Sequence, residues 1–355
     1  MNKSLNKEIY KEVTEHTREN RKEQEKLDQQ KNYPMLHGTI TDVWTDLYQV
    51  KSKKDNMSKM PFIKNEVITM KFMPPLTANE KENKRIEKTL KKLIDKRMIQ
   101  PSTHKLFCRA IQGLTAVNDT GHGKKRHLNT TKVCIPIREY ATACGYPVDA
   151  DLRNFTRKIK KDMLILRCMS IDIKKKINGD PNVSWLNMGV VITAKTDRGY
   201  ALVEFHPDLA NALMTFPLTQ YSQGLFRIDN RNPNAYAIGY KMCIHGNNAN
   251  NIKRGGDRVL KVENLLKQTN LSIDGRGCKA NGWESRVKDK LEDALELLVK
   301  NNVIDGWHYR SDKTDFRSIE EWENDYIEFE LSNRCDHEAR IARNSDKKKK
   351  AKTKS

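Results

Sequence analysis

A row of cationic side chains at helical spacing is the strongest indication of chemistry in this sequence. Arg153, Arg157, Lys160 and Lys161 lie at positions i, i+4, i+7 and i+8 of a helix predicted over 149–167, so they share one face. In the 24 residues that begin at Arg153, nine Lys or Arg residues accompany two Asp residues, a net charge of +7. Such a face is either an ordinary solvated surface or a phosphate-binding surface, and its charge favours the second. The predicted contacts of this helix are Arg153, Asn154, Arg157, Lys160 and Lys161.

A second group of polar and charged residues opens a long helix predicted over 283–304. Side chains that contact bases usually lie in the first turns of a recognition helix. We therefore predict DNA contacts from Ser285, Arg286, Lys288 and Asp289. The alternative is that the acidic residues further along this helix only pair with its lysines at i, i+4 spacing. A basic loop with two adjacent glycines supplies two further predicted contacts, Lys253 and Arg254.

Catalytic and metal-binding patterns are absent from the sequence. It contains no GxxxxGK[ST] phosphate loop, no G-x-S-x-G, no HExxH and no pair of histidines one residue apart. His122 and His127 lie five apart in a basic loop, where phosphate contact or solvation is a better interpretation than a metal site. The tyrosines considered as nucleophiles lack flanking residues that would make such a role credible: Tyr10, Tyr140, Tyr221, Tyr236 and Tyr240. We expect no enzymatic activity, no cofactor and no metal ion.

Composition and charge point to a polyanionic partner inside the cell. The 355 residues carry 66 Lys and Arg against 46 Asp and Glu, a formal net charge of +20. Nucleic acid is the expected partner, ahead of an anionic membrane surface. The seven cysteines are scattered and form no CxxC pair, so neither a zinc site nor a disulfide framework is expected. No apolar run approaches the length of a membrane span and the N-terminus has no apolar leader, so we expect a cytoplasmic protein that does not bind membranes.

The elements predicted around the first basic helix follow the order of a winged helix. A strand over 131–137 and a short helix over 138–146 precede the basic helix, and two strands over 183–195 and 200–207 follow it, joined by the turn TDRG. The apolar stripe of the basic helix consists of Leu152, Phe155, Ile159 and Met163. In a winged helix the second helix of the turn motif enters the major groove, and the hairpin contacts the DNA backbone.

The same order is predicted a second time further along the chain. After a strand-like LFRI at 225–228, a helix begins near Asn234, a second helix covers 261–271 and the long helix covers 283–304. Two strands complete the module, over 304–310 and 326–331. Two recognition helices on one chain could address major-groove sites about one helical turn, roughly 34 Å, apart.

The predicted fold class is α+β, with two tandem winged-helix domains between flexible charged terminal segments. Residues 105–118 are apolar and β-branched enough to predict one or two strands ahead of the first module. The predicted divisions are a charged N-terminal arm over 1–60, a strand and helix extension over 61–130, a first winged-helix domain over 131–220, a second over 221–335 and a basic disordered tail over 336–355.

The chain resembles the plasmid replication initiators of the Rep type over about 131–331. The matching stretches are KVCIPIREYATACGY, DLRNFTRKIKKDMLILRCMSIDI, ALVEFHPDLANALM, LFRIDNRNPNAYAIGYKM and the end of the long helix, NNVIDGWHY. The resemblance implies domains that bind repeated origin sequences in double-stranded DNA, help to melt the adjacent duplex and recruit the host replication initiator and helicase. It also implies monomers that initiate replication and dimers that repress their own gene. Residues 1–130 match no part of the family pattern.

A transcriptional regulator of a mobile element is the alternative function, because it would need the same DNA surface and no replication partners. Direct repeats of about 20 base pairs beside the gene would favour an initiator, since they place several major-groove sites in tandem. A single palindrome in the promoter would favour a regulator. A nickase is a third option, which incubation with supercoiled DNA and a divalent metal would expose.

Overall fold

The described part of the chain is a mixed α+β structure of helices and small antiparallel sheets. The computed structural model describes residues 100–332 except 119–127, 178–179, 215–217, 248–257, 268, 270 and 272–281. It also describes strands β1 (Asn32–Leu36), β2 (Ser58–Ile63) and β3 (Glu66–Phe72) and the helical residues Lys84, Ile86 and Lys88. The chain divides into two compact units, with the main boundary between Leu218 and Thr219, and Gln30–Pro34 belongs to the second unit.

The first unit combines helices with two antiparallel sheets. Its elements from residue 101 onward are α1 (Pro101–Asn118), β4 (Lys132–Pro136), α2 (Ile137–Ala143), α3 (Arg153–Arg167), β5 (Met169–Ile177), β6 (Asp180–Gly189), β7 (Val191–Asp197), β8 (Tyr200–Phe205) and α4 (Pro207–Met214). One sheet has the strand order β4-β8-β7, and the other has the order β2-β3-β5-β6. Helix α3 is therefore followed by an inserted hairpin, β5–β6, before the hairpin β7–β8.

The second unit contains a three-stranded antiparallel sheet with the strand order β10-β12-β11. Its elements are β9 (Leu218–Ser222), α5 (Gly224–Arg227), α6 (Pro233–Gly246), β10 (Val259–Lys261), α7 (Val262–Leu266), α8, β11 (Ile304–Tyr309), α9 (Ile319–Asn324) and β12 (Tyr326–Leu331). Helix α8 has a π-helical first part, Glu284–Lys288, and continues as an α-helix over Asp289–Lys300. Strand β9 pairs with β1.

The two units repeat one order of elements. A helix, a strand, two helices and two strands occur in the order α1-β4-α2-α3-β7-β8 in the first unit and α6-β10-α7-α8-β11-β12 in the second. The hairpin β5–β6 is inserted between α3 and β7 in the first unit, and helix α9 is inserted between β11 and β12 in the second. In each unit the first strand of the set pairs with the last, so that Cys134 lies opposite Leu202 and Leu260 lies opposite Ile327. The last strand also pairs with the one before it, and it is therefore central in both sheets.

Helix α1 replaces the strands that the sequence predicts over 105–118. Polar residues of the helix are as buried as apolar ones, with Lys105 at 2% and Arg109 at 0% exposure. A helix without an exposed polar face shows no helical period in its sequence, and the strand prediction failed for this reason. Some of the buried polar groups are hydrogen-bonded within the unit: Arg109 Nη1 donates to Gln112 Oε1 at 2.7 Å, and Asn118 Oδ1 accepts from the Thr130 amide at 3.0 Å.

The single strand predicted over 183–195 is two strands, because the chain changes sheet at Val190. The Val190 amide donates to the Met169 carbonyl at 2.9 Å, at the start of β5. The Val190 carbonyl accepts from the His206 amide at 3.3 Å, at the end of β8. One residue therefore bonds to both sheets, and the continuous apolar pattern of the sequence does not reveal the break.

The strand-like segment 225–228 is the single-turn helix α5. The turn begins at Gly224, where a Cβ atom would lie 2.1 Å from the Asn301 carbonyl oxygen. The Ser222 hydroxyl accepts from the Gly224 amide at 3.1 Å and donates to the Asn302 carbonyl at 3.0 Å. This close approach to the end of α8 determines the helical turn, and a contact between residues 80 positions apart is invisible in the local sequence.

Candidate nucleic-acid interface

Helix α3 begins at Arg153 rather than at 149, because a capped turn precedes it. The Ala150 amide donates to the Pro147 carbonyl at 3.1 Å, which closes the turn. Asp151 then accepts from the Arg153 amide at 3.0 Å and from the Arg153 Nε at 2.8 Å. These hydrogen bonds lower the pKa of Asp151, so its carboxylate is ionised at neutral pH and complements the positive end of the helix dipole.

The contacts predicted on α3 all have exposed side chains: Arg153, Asn154, Arg157, Lys160 and Lys161. The Arg153 side chain is 88% exposed, and Arg157 Nη1 donates to Asn154 Oδ1 at 3.1 Å. Asp162 is the only acidic residue in the sequence of α3, and it is buried. The exposed side of the helix therefore carries positive charge alone. The DNA-binding hypothesis requires Arg157 to point outward, and this requirement is met.

Asp162 fixes the orientation of α3 from its buried side. Its Oδ1 accepts from Ser102 Oγ at 3.1 Å and from Thr103 Oγ1 at 2.6 Å, both in the first turn of α1. Burial raises the pKa of this carboxyl to about 6, although the two hydroxyls and Lys158 and Lys161 act in the opposite direction. The predicted apolar stripe packs on the same side, with Phe155, Ile159 and Met163 buried. Polar and apolar contacts together turn the cationic side outward.

The hairpin β7–β8 adds a basic residue that the sequence analysis did not single out. Arg198 and Gly199 form its turn, and both have positive φ angles of 42° and 90°. The Ile137 amide, at the start of α2, donates to the Gly199 carbonyl at 2.9 Å, which ties the hairpin turn to the helical part of the unit. Arg198 is exposed. Arg198 lies in the TDRG turn of a hairpin that was predicted to be a wing. Because a wing contacts the DNA backbone, this position could have identified Arg198 from the sequence.

Helix α8 places its predicted contact residues in different environments. Ser285, Arg286 and Asp289 are exposed, as a DNA contact requires. The Lys288 side chain is only 15% exposed, and its Nζ donates to the Thr314 carbonyl at 3.0 Å. The same Nζ lies 3.6 Å from the Glu292 carboxylate. Lys288 therefore anchors the segment between β11 and β12 to the helix.

The exposed charges of α8 differ from those of α3. The exposed acidic residues are Glu284, Asp289, Asp293 and Glu296, and the exposed basic residues are Arg286, Lys290 and Lys300. Acidic residues thus slightly outnumber basic residues on this helix, whereas α3 exposes basic residues alone. The two units share an order of elements and differ in the electrostatic character of the corresponding helix.

A cavity of about 410 Å³ lies beside α8, with Lys288, Trp307, Tyr309 and Lys313 among its lining residues. Lys313 Nζ lies 2.7 Å from the Glu321 carboxylate, and the Trp307 indole donates to Glu296 at 2.9 Å. The Tyr309 hydroxyl donates to Glu292 at 2.9 Å and accepts from the Trp322 indole at 2.9 Å. The four lining side chains Lys288, Trp307, Tyr309 and Lys313 are thus hydrogen-bonded or ion-paired within the unit, and we assign no ligand to the cavity.

Several predicted features lie outside the described residues. These are Lys253, Arg254, His122, His127 and the basic tail over 336–355. Among the residues that are described, no group of three or more His, Cys, Asp or Glu side chains could hold a metal ion. No helix in that same part of the chain is long and apolar enough to cross a membrane.

The comparisons with known proteins found a likeness among solved structures and none at the level of sequence. No protein-family model matches the sequence, and no curated protein matches it. Among solved structures, the chain is similar to domains 2 and 3 of RctB, determined as selenomethionine derivatives. The TM-score is 0.46 and the sequence identity is 10%, and the likeness covers 83% of this chain and 96% of that chain.

Proposed function

We propose that this chain is a sequence-specific binder of double-stranded DNA built from two winged-helix domains. The observation that carries the proposal is the order shared by both units: helix, strand, two helices and two strands, with the last strand central in a three-stranded sheet. In winged helices the helix before the hairpin lies in the major groove and the hairpin contacts the backbone. Helices α3 and α8 occupy that place in their units.

The side chains of α3 suit this role. Arg153, Asn154 and Arg157 lie in its first turns, where arginine can bond guanine O6 and N7 and asparagine can bond adenine N6 and N7. Lys160 and Lys161 follow on the same exposed side and suit phosphate contacts. In the second unit we assign the corresponding contacts to Ser285, Arg286 and Asp289, and to Lys253 and Arg254 of the predicted basic loop. Lys288 is not included, because its ammonium group is bound within the unit.

We further propose that the chain initiates replication of a plasmid or mobile element by binding origin repeats. Two DNA-binding domains in tandem let one chain occupy two successive major-groove sites, which suits an array of direct repeats. The net charge of +20 suits a strong electrostatic contribution to such binding. In this role the host replication initiator and helicase are its partners, and self-association into dimers serves repression of its own gene. Its expected location is the bacterial cytoplasm, on nucleoid or plasmid DNA.

Selection from a random pool of duplexes with the full chain tests the proposal. Direct repeats of about 20 base pairs in the enriched sequences are the expected result, since each repeat would present two half-sites about one helical turn apart. A single palindrome would support a transcriptional regulator of a mobile element instead. Failure to enrich any sequence would refute sequence-specific DNA binding altogether.

We also propose that the chain has no catalytic activity of its own. Incubation with supercoiled plasmid and Mg²⁺, followed by gel electrophoresis, should leave the plasmid supercoiled. Conversion to open circles would instead identify a nickase, and the tyrosine responsible could then be found by covalent capture of the cleaved strand.

A further inference from the structure

The turn between α2 and α3 exposes an apolar side chain beside the cationic helix. Val148 is 69% exposed, the largest value among the large hydrophobic residues described, and Ile192 on β7 follows at 48%. An isolated exposed valine is common on protein surfaces. Val148 differs from such a residue because it lies beside the cationic helix α3 and because its turn contacts both flanking helices.

The turn is held rigidly against both flanking helices. The Arg138 guanidinium on α2 donates to the carbonyl oxygens of Val148 and Ala150. The ring of Tyr146 packs on Phe155, in the first turn of α3, with 4.8 Å between the ring centroids. These contacts hold the turn close to the residues that begin α3, and they would reduce the conformational entropy lost if Val148 took part in binding.

The charges around the turn indicate which part of a DNA duplex would suit Val148. The exposed charged residues of the neighbouring helix α3 are all basic, and they attract a polyanion. Asp149, next to Val148, is exposed and would be repelled by phosphate, so the tip of the turn does not suit the DNA backbone. Base edges in the major groove suit it better, because they offer amino donors to a carboxylate and the thymine 5-methyl group to an apolar side chain.

We propose that Val148 contacts the 5-methyl group of a thymine in the major groove and thereby selects an A·T pair next to the bases contacted by α3. This inference rests on the proposed function, because it requires α3 to lie in that groove. The thymine methyl is the apolar group that distinguishes this base pair in the major groove. A contact between it and a valine excludes water from both surfaces.

The test combines a protein variant with a DNA variant that removes the opposite half of the contact. Duplexes enriched by the full chain are prepared with each thymine replaced singly by deoxyuridine, which lacks only the 5-methyl group. At one position the replacement should weaken binding of the unaltered protein by about three- to fivefold, as expected for one buried methyl group. Val148→Ala should bind the thymine duplex about as weakly and should be insensitive to the replacement.

Each other outcome has a defined meaning. If no duplex is enriched, the proposed function fails and this inference fails with it. If duplexes are enriched but no deoxyuridine position distinguishes Val148→Ala from the unaltered protein, the thymine contact is refuted and DNA binding stands. If Val148→Asp binds the enriched duplex normally but loses self-association in analytical ultracentrifugation, the valine belongs to an interface between copies of the chain and the proposal is overturned.

Discussion

At the scale of single residues, the surroundings of each cationic side chain in α3 determine what it can contribute to DNA binding. Arg153 is paired with Asp151 and Arg157 donates to Asn154, so both guanidinium groups are oriented near the first turn. Planar, oriented guanidinium groups suit bidentate contacts with guanine. Lysines with flexible stems suit phosphates instead. We therefore expect the arginines to set sequence preference and the lysines to set general affinity.

Replacement of Lys160 or Lys161 by alanine should weaken binding to every duplex by a similar factor. Each variant should also reduce the slope of log K against log salt concentration by about one, because one phosphate contact and its released counterions are lost. Fluorescence anisotropy titrations at several NaCl concentrations measure both quantities. Lys300→Ala, exposed at the end of α8, is the matched control and should leave the slope unchanged. An unaltered slope in both α3 variants would refute their assignment as phosphate contacts.

Replacement of Arg157 by alanine should change specificity as well as affinity. Loss of a bidentate contact should cost about 1–3 kcal/mol on the enriched duplex and should relax discrimination at one base pair. Arg286→Ala should do the same at a base pair contacted by α8. Competition with duplexes that carry single base-pair substitutions measures the discrimination. If both variants bind the enriched duplex normally at physiological salt, both helices have been assigned the wrong role.

The buried carboxyl of Asp162 should make stability depend on pH in a definite direction. Its pKa is raised from 3.8 to about 6 in the folded protein, so ionisation is disfavoured by folding. The contribution of such a group to stability is greatest below about pH 4, declines as pH rises from about 4 to about 6, and is constant at higher pH. From pH 7 to pH 5 the unaltered protein should therefore gain about 1 kcal/mol relative to Asp162→Asn, measured by urea unfolding.

Asp151 provides the matched control for this pH dependence, because hydrogen bonds lower its pKa instead of raising it. Its favourable contribution is present above about pH 4 and is lost only on further acidification. The comparison with Asp151→Asn should therefore be flat from pH 7 to pH 5 and should show a trend of opposite sign below about pH 4. Parallel trends for the two variants would show that Asp162 titrates like an exposed carboxyl and that its burial has been misjudged.

At the scale of elements, the sequence predicted the helices and strands that have one solvent-exposed side and one buried side. Helix α3 was predicted because apolar and cationic residues alternate at helical spacing, and β12 was predicted because Ile327, Phe329 and Leu331 alternate with acidic residues. Helix α1 was missed because it is buried on nearly all sides, and the break at Val190 was missed because the chain joins two sheets there. Tertiary contacts decided these elements, and local patterns do not contain them.

Within the candidate site, the sequence predicted the exposed basic residues of α3 but did not predict the contacts that Lys288 makes. Lys288 follows the buried Val287 and precedes the buried Leu291 by three residues, so it borders the apolar stripe of α8. Its long side chain carries the ammonium group to the Thr314 carbonyl, in a segment 26 residues away. The sequence predicts which residues flank a stripe. It does not predict which partner a flexible side chain at the edge will find.

The contact between α5 and the end of α8 gives a prediction about packing. A methyl group at Gly224 would lie 2.1 Å from the Asn301 carbonyl oxygen. Because that oxygen belongs to the backbone, the clash could be removed only if the backbone moved. Gly224→Ala should therefore destabilise the protein by about 1–3 kcal/mol in chemical unfolding, as overpacking of a filled core does. Gly306→Ala is the control, because no atom lies within 4 Å of the corresponding Cβ position. Equal effects of the two substitutions would contradict this packing.

At the scale of the whole molecule, two units with one order of elements carry different charges on the corresponding helices. Exposed residues of α3 are basic, whereas exposed acidic and basic residues nearly balance on α8. If the proposed DNA binding holds, we expect α3 to supply more electrostatic attraction than α8, and contacts of α8 to depend more on hydrogen bonding than on net charge. A shared topology combined with unequal charge suits a division in which one domain supplies affinity and both contribute to sequence preference.

Dimethyl sulfate protection of the enriched duplex measures most directly whether these helices lie in the major groove, because the reagent methylates guanine N7 there. The account predicts two protected clusters about one helical turn, roughly 10 base pairs, apart. It also predicts that Arg157→Ala removes protection from one cluster and Arg286→Ala from the other. Binding without any protection of guanine N7, or protection unaffected by either variant, would contradict the placement of α3 and α8 in that groove.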